Sequence, residues 1–144
     1  MKTVLRVLAI LLLLFLGFGG LYGAWMLITD PSGGNFDWSL SLLDGTPFKS
    51  FLIPGIILAF ANGILPLFVA VILLLNRPSS GCLLLLQGGV TFGWLTAQLI
   101  FNPDFFVPAM HYPSYAVGGL LIILGILLGY KKKKPKRILK TSNT

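Results

Sequence analysis

Pro54 to Leu75 reads PGIILAFANGILPLFVAVILLL, Asn76 to Gly81 reads NRPSSG, and Cys82 to Phe101 reads CLLLLQGGVTFGWLTAQLIF. The two long stretches hold 22 and 20 residues without a single charge. About 20 such residues in a helix cross a hydrocarbon core of about 30 Å. Lipid leaves no water for unpaired backbone groups, and the two-residue alternation of a barrel strand is absent, so both stretches are helices. The six-residue link of turn-forming residues makes them antiparallel neighbours.

Working outward, Val7 to Ile28 is a third uncharged run of 22 residues, and Ser114 to Tyr130 is a fourth of 17, short for a span. The expected fold is therefore all-α. It is a polytopic four-transmembrane-helix bundle with one membrane domain, 1–130, and a basic tail, 131–144. Composition agrees. Eleven Lys/Arg and four Asp make 10% of 144 residues charged, against about 25% in a soluble domain, and 56% are hydrophobic. An ordinary soluble domain and a disordered chain are both excluded. The start, MKTVLR before an apolar run, also has the form of a secretory signal. Its 22-residue run is long for one and its small-x-small sites, at Gly17 and Gly19, lie inside it, so a retained first helix is expected.

Charge sets the orientation. Lys2, Arg6, Arg77, Lys131, Lys132, Lys133, Lys134, Lys136, Arg137 and Lys140 fall on one side of the four-span arrangement. Asp30, Asp37, Asp44 and Asp104 fall on the other, with Lys49 and His111. The positive-inside rule then puts both termini in the cytoplasm. The run Lys131 to Arg137 adjoins a span, so it is read as a contact for anionic lipid through Lys131, Lys132, Lys133, Lys134, Lys136 and Arg137, not as a nucleic-acid site. Nine aromatic residues gather near the outer interface and Tyr130 marks the inner one, the belt expected at headgroup depth.

The first outer loop, Thr29 to Ile53, carries its own pattern. Phe36 to Leu42 alternates apolar and polar, which predicts an extended segment lying on the helix ends with Phe36, Trp38, Leu40 and Leu42 turned to the bundle. Thr46-Pro47 is expected to cap a short turn through Phe48 and Phe51, and Pro54 suits the first turn of the second span. The loop is thus expected to be ordered and to cap the bundle.

Few residues offer chemistry. No ionisable group lies in the middle of a span, which argues against proton-coupled transport. The single cysteine, Cys82, excludes an internal disulfide and a Cys-x-x-Cys redox pair, and is expected to pack as a small apolar residue. Gln87, Thr91, Trp94 and Gln98 are spaced 4, 3 and 4 and share one helix face, which is expected to turn inward. Asn62 precedes Pro66 by four, so the proline cannot donate to its carbonyl and a kink is expected. Asn62, Gln87, Thr91 and Gln98 are the candidate ligand-binding residues, against the plainer reading of interhelical hydrogen bonds. Gly19/Gly23, Gly20/Ala24 and Gly125/Gly129 are small-residue pairs suited to close packing. The outer aspartates and His111 match no metal motif, and neither a metal, a cofactor nor a catalytic constellation is expected.

Three segments carry a resemblance: Thr29-Asp30-Pro31-Ser32-Gly33, Leu43-Asp44-Gly45-Thr46-Pro47-Phe48, and Phe51-Leu52-Ile53-Pro54-Gly55-Ile56-Ile57-Leu58. Together they resemble a group of small bacterial membrane proteins with four predicted helices and no assigned activity. The resemblance implies the cell (inner) membrane of a bacterium and four helices; it brings no catalytic residue. The expected function is a non-catalytic membrane protein acting through packing or contacts with lipid, a membrane-protein partner or its own copies. The alternative is a lipid or small-molecule binder or permease using the polar residues of the second and third spans. A continuous polar cavity reaching Gln87 and Gln98 would favour the alternative; a bundle closed by apolar packing would favour the first.

Overall fold

The structure, a computed structural model, describes residues 2–129. The basic tail from Lys131 and the interfacial Tyr130 lie outside the described residues. Four helices form the bundle: α1, Lys2–Thr29; α2, Leu52–Leu74; α3, Ser80–Phe101; and α4, Pro108–Gly129. Each is long and apolar enough to cross a membrane, and no strand occurs among the described residues. Lys2, Arg6 and Arg77 sit at one end of this up-and-down bundle and the four aspartates at the other.

Spans α1 to α3 lie close to the expected ones, but α4 begins at Pro108 and not at Ser114. Pro108 tolerates the first helical position because its missing N–H would be unpaired there anyway. Pro113 then costs one bond near the helix start, to the carbonyl of Ala109. His111, expected in a loop, is consequently a buried helical residue. Cys82, expected to pack as a small apolar residue near the inner membrane surface, is exposed in the first turn of α3.

Glycine brings the helices together in two pairs. On α3 and α4, Gly81 meets Gly125 and Gly88 meets Gly118, seven residues apart on each antiparallel helix. A Cβ on Gly88 would stand 2.7 Å from the Gly118 carbonyl oxygen, and one on Gly81 2.9 Å from that of Gly125. On α1 and α2, Gly17 and Gly20 lie against Gly63 and Asn62. Of the small residues marked in the sequence, Gly20, Gly125 and Gly129 make these crossings, whereas Gly19 faces open space.

Two apolar clusters result. The inner one joins Leu13, Val69, Leu73, Leu84 and Leu121, among others, from all four helices. The outer one joins Leu27, Leu43, Phe51 and Phe105, with Phe36, Trp38, Phe48 and Met110 packed against it. The first outer loop is therefore an ordered cap, as its apolar side chains led us to expect. Its backbone is not the extended segment that alternation predicted. It forms short 3-10 turns at Gly34–Phe36 and Leu40–Leu43. A lone seven-residue segment has no neighbouring strand to pair with, so its backbone groups bond locally. Asp37, in the left-handed region at φ 55°, folds the chain so that Phe36 and Trp38 stack at 4.5 Å. Trp38 meets Phe105 edge-on at 5.0 Å and lies 5.6 Å from Phe51.

Hydrogen bonds fasten this cap. The Phe51 N–H donates to the Pro31 carbonyl at 2.9 Å, and Asn102 Nδ2 donates to the Leu42 carbonyl at 3.1 Å, tying the two outer loops together. Thr46 fastens a turn, as expected: its hydroxyl donates to the Leu43 carbonyl and accepts from the Phe48 N–H. Pro54 does occupy the first turn of α2. Ser32 donates through its hydroxyl to Asp30 Oδ1 at 2.5 Å, which holds this exposed carboxyl below the usual carboxylate range.

Candidate functional site

The unusual local structure is in the middle of α2, where Ala59–Ile64 is a π-helical turn. The Leu65 N–H donates back five residues, to Phe60, and not to Ala61. The next residue that could reach the Ala61 carbonyl is Pro66, which has no N–H. That carbonyl is left without a helical donor, and Gln87 of α3 supplies one: its Nε2 donates to the Ala61 oxygen at 3.1 Å. Pro66 was expected to free the carbonyl of Asn62; in the π register it also withholds a donor from that of Ala61.

The same Nε2 donates to Thr91 Oγ1 at 3.2 Å, and Thr91 Oγ1 donates to Asn62 Oδ1 at 2.7 Å. Three of the four candidate residues are thus one buried chain of hydrogen bonds between α2 and α3. Such interhelical bonds contribute about 0.6 kcal/mol each in membrane proteins. The close approach of Gly20 to the Asn62 carbonyl presses α1 against the π turn from the other side.

Gln98, the fourth candidate, is not in this chain. It lies two turns further along α3 on the wall of a cavity of about 650 Å³. The cavity occupies the outer half of the bundle, between the two apolar clusters. Its roof is Trp38, Leu43, Phe51 and Phe105; Asn62, Thr91 and Leu16 lie at its inner end; Trp94 and Gln98 form the α3 wall. Phe15, Gly19 and Tyr22 of α1 and Ala109 and Pro113 of α4 line it while staying exposed, so it opens sideways between α1 and α4. A volume between about 300 and 1,000 Å³ is typical of small-molecule sites, which are also mostly apolar with a few placed polar groups.

Of the expected face on α3, Thr91, Trp94 and Gln98 reach the cavity; Gln87 does not and serves instead to hold the π turn. Gln98 Oε1 is buried with no hydrogen-bond partner among the described residues, as is Gln87 Oε1. Sequence reasoning missed Ser114 and Met110, which line the cavity from α4 because that helix begins earlier than its apolar run.

His111 stands apart from the cavity lining. Its Nδ1 lies 3.2 Å from the Val107 N–H nitrogen and 3.1 Å from the Val107 oxygen, and its ring packs near Phe105, Phe106 and Tyr115. Among the described residues no three His, Cys, Asp or Glu side chains come together as metal ligands would. Comparison with known proteins finds no matching family model, no matching curated protein and no matching solved structure.

Proposed function

We propose that this is a non-catalytic, multi-pass protein of a bacterial cell membrane that binds a small apolar or amphiphilic molecule drawn from the bilayer. The supporting observation is a side-opening cavity that is not the continuous polar one expected of a binder: it stops short of Gln87 and is mostly apolar, with Asn62, Thr91 and Gln98 set into its wall. A molecule dissolved in lipid reaches the mouth between α1 and α4 without crossing water. The basic residues at the Lys2 and Arg77 end, with those of the tail, put that end in the cytoplasm by the positive-inside rule. The cavity then lies in the outer leaflet half, roofed by the aromatic loop.

Two of the three tryptophans, Trp38 and Trp94, line the cavity, while Trp25 is exposed outside it. The test uses a Trp25→Phe chain in lipid nanodiscs, titrated with a brominated long-chain alkane and the brominated 1-alkanol of the same length. Saturable quenching of the remaining fluorescence by either probe supports binding. Quenching by both that only rises with their membrane concentration contradicts it, and leaves a protein acting through packing and partner contacts.

A further inference from the structure

The chemistry of the cavity narrows what it takes, on the reading above that it is a ligand site. Among the described residues no Asp, Glu, Lys, Arg or His lines it. A charged head entering there would lose its water and meet no counter-ion, a cost that nothing else in the wall offsets. Phosphate, carboxylate and ammonium heads are therefore disfavoured.

Plain hydrocarbon fits poorly too. Gln98 stands one turn from the outer end of α3; its Oε1 is sealed off, without a partner among the described residues, and the other end of its amide lines the cavity. A wholly apolar occupant would leave the amide end that lines the cavity unpaired in a dry site. A carboxamide presents an acceptor on one side and two donors on the other. A hydroxyl both donates and accepts, so it pairs with Gln98 whichever way the amide is turned. A ketone or ester only accepts, so it pairs with Gln98 in one orientation of the amide only.

Position gives the orientation. Gln98 lies close beneath the loop that carries Trp38, and the mouth is at the side, where Phe15 and Tyr22 remain exposed. We propose that the cavity selects an uncharged, hydroxyl-bearing lipid, its hydroxyl bonded to Gln98 under the aromatic roof and its chain leaving between α1 and α4. Gln98 is the residue that sets this preference.

The test displaces the brominated 1-alkanol from the Trp25→Phe chain in nanodiscs. The competitors are the alkane, 1-alkanol, carboxylate and quaternary ammonium of one chain length, compared at equal membrane mole fraction. The alkanol is expected to displace the probe at about fivefold lower concentration than the alkane, the worth of one neutral hydrogen bond. The ammonium is expected to fail. In Gln98→Leu, with helicity and melting temperature checked, the alkanol's advantage over the alkane disappears while the alkane still displaces the probe. Equal displacement by alkane and alkanol in the unsubstituted chain overturns the hydroxyl preference, and displacement by the ammonium as good as by the alkanol overturns the exclusion of charge. Either result leaves the ligand site standing. If neither the brominated alkane nor the brominated alkanol quenches saturably, the ligand site itself falls.

Discussion

Gln87 of α3 donates to the carbonyl of Ala61 in α2 at 3.1 Å, filling the place that Leu65 and Pro66 leave empty. The π turn and the glutamine act as one device, since the Ala61 carbonyl that the turn leaves without a helical donor is paired by Gln87 Nε2. Gln87→Leu should lower stability by about 1 kcal/mol, the ordinary cost of an unpaired carbonyl. Pro66→Ala restores an N–H to the helix, so Gln87→Leu should cost distinctly less in that background. Unfolding of the four chains in mixed detergent micelles gives the coupling; equal costs in both backgrounds would show that the two residues act independently.

Gly20 and Gly19 are neighbours in sequence with opposite surroundings. A Cβ on Gly20 would overlap the Asn62 carbonyl oxygen, whereas one on Gly19 meets nothing within 4 Å. Gly20→Ala should destabilise by about 1–3 kcal/mol through forced separation of α1 from the π turn. Gly19→Ala should be neutral or slightly stabilising, because alanine favours the helix. Thermal denaturation in detergent ranks them, and a Gly20→Ala chain as stable as Gly19→Ala would deny the close crossing.

Trp38 holds the roof by contacting Phe36, Phe51 and Phe105 together. Trp38→Ala should cost about 3–5 kcal/mol if all of that packing is lost. Because the loss is local, amide exchange should rise through residues 34–43 and change little in Val69 to Leu73. Uniform acceleration along the whole chain would mean that the loop and the inner cluster unfold as one unit.

Much of this architecture is legible in the sequence. Long uncharged runs separated by turn residues suffice for the four spans, because lipid permits almost no alternative. The inward face of Gln87, Thr91 and Gln98 follows from helical spacing, as does the cap from its aromatic content. The start of α4 was not legible, since Pro108 and Pro113 read as breaks although each is tolerated near a helix start. Nor was the division of the polar face into a structural pair and a cavity residue. Gln87 and Gln98 lie on the same side of α3, and what separates their roles is the π turn opposite the first and the open space opposite the second. That space depends on where α1 and α4 diverge, which no local pattern reports.

Orientation can be checked without a ligand. Reporter fusions at Gly81 should read cytoplasmic and at Gly34 external, since basic residues crowd the former end and aspartates the latter. A cytoplasmic signal at Gly34 would invert the topology and place the cavity in the inner leaflet.

The most direct measurement is photo-crosslinking in nanodiscs with a long-chain 1-alkanol carrying a diazirine in its chain, followed by peptide mapping. Occupation of the cavity predicts adducts concentrated on α1 at Phe15 and Tyr22 and on α4 around Met110, competed away by excess unlabelled alkanol. Adducts spread evenly over the exposed faces, including Phe60, Phe68 and Val71 of α2, and insensitive to competition would contradict it.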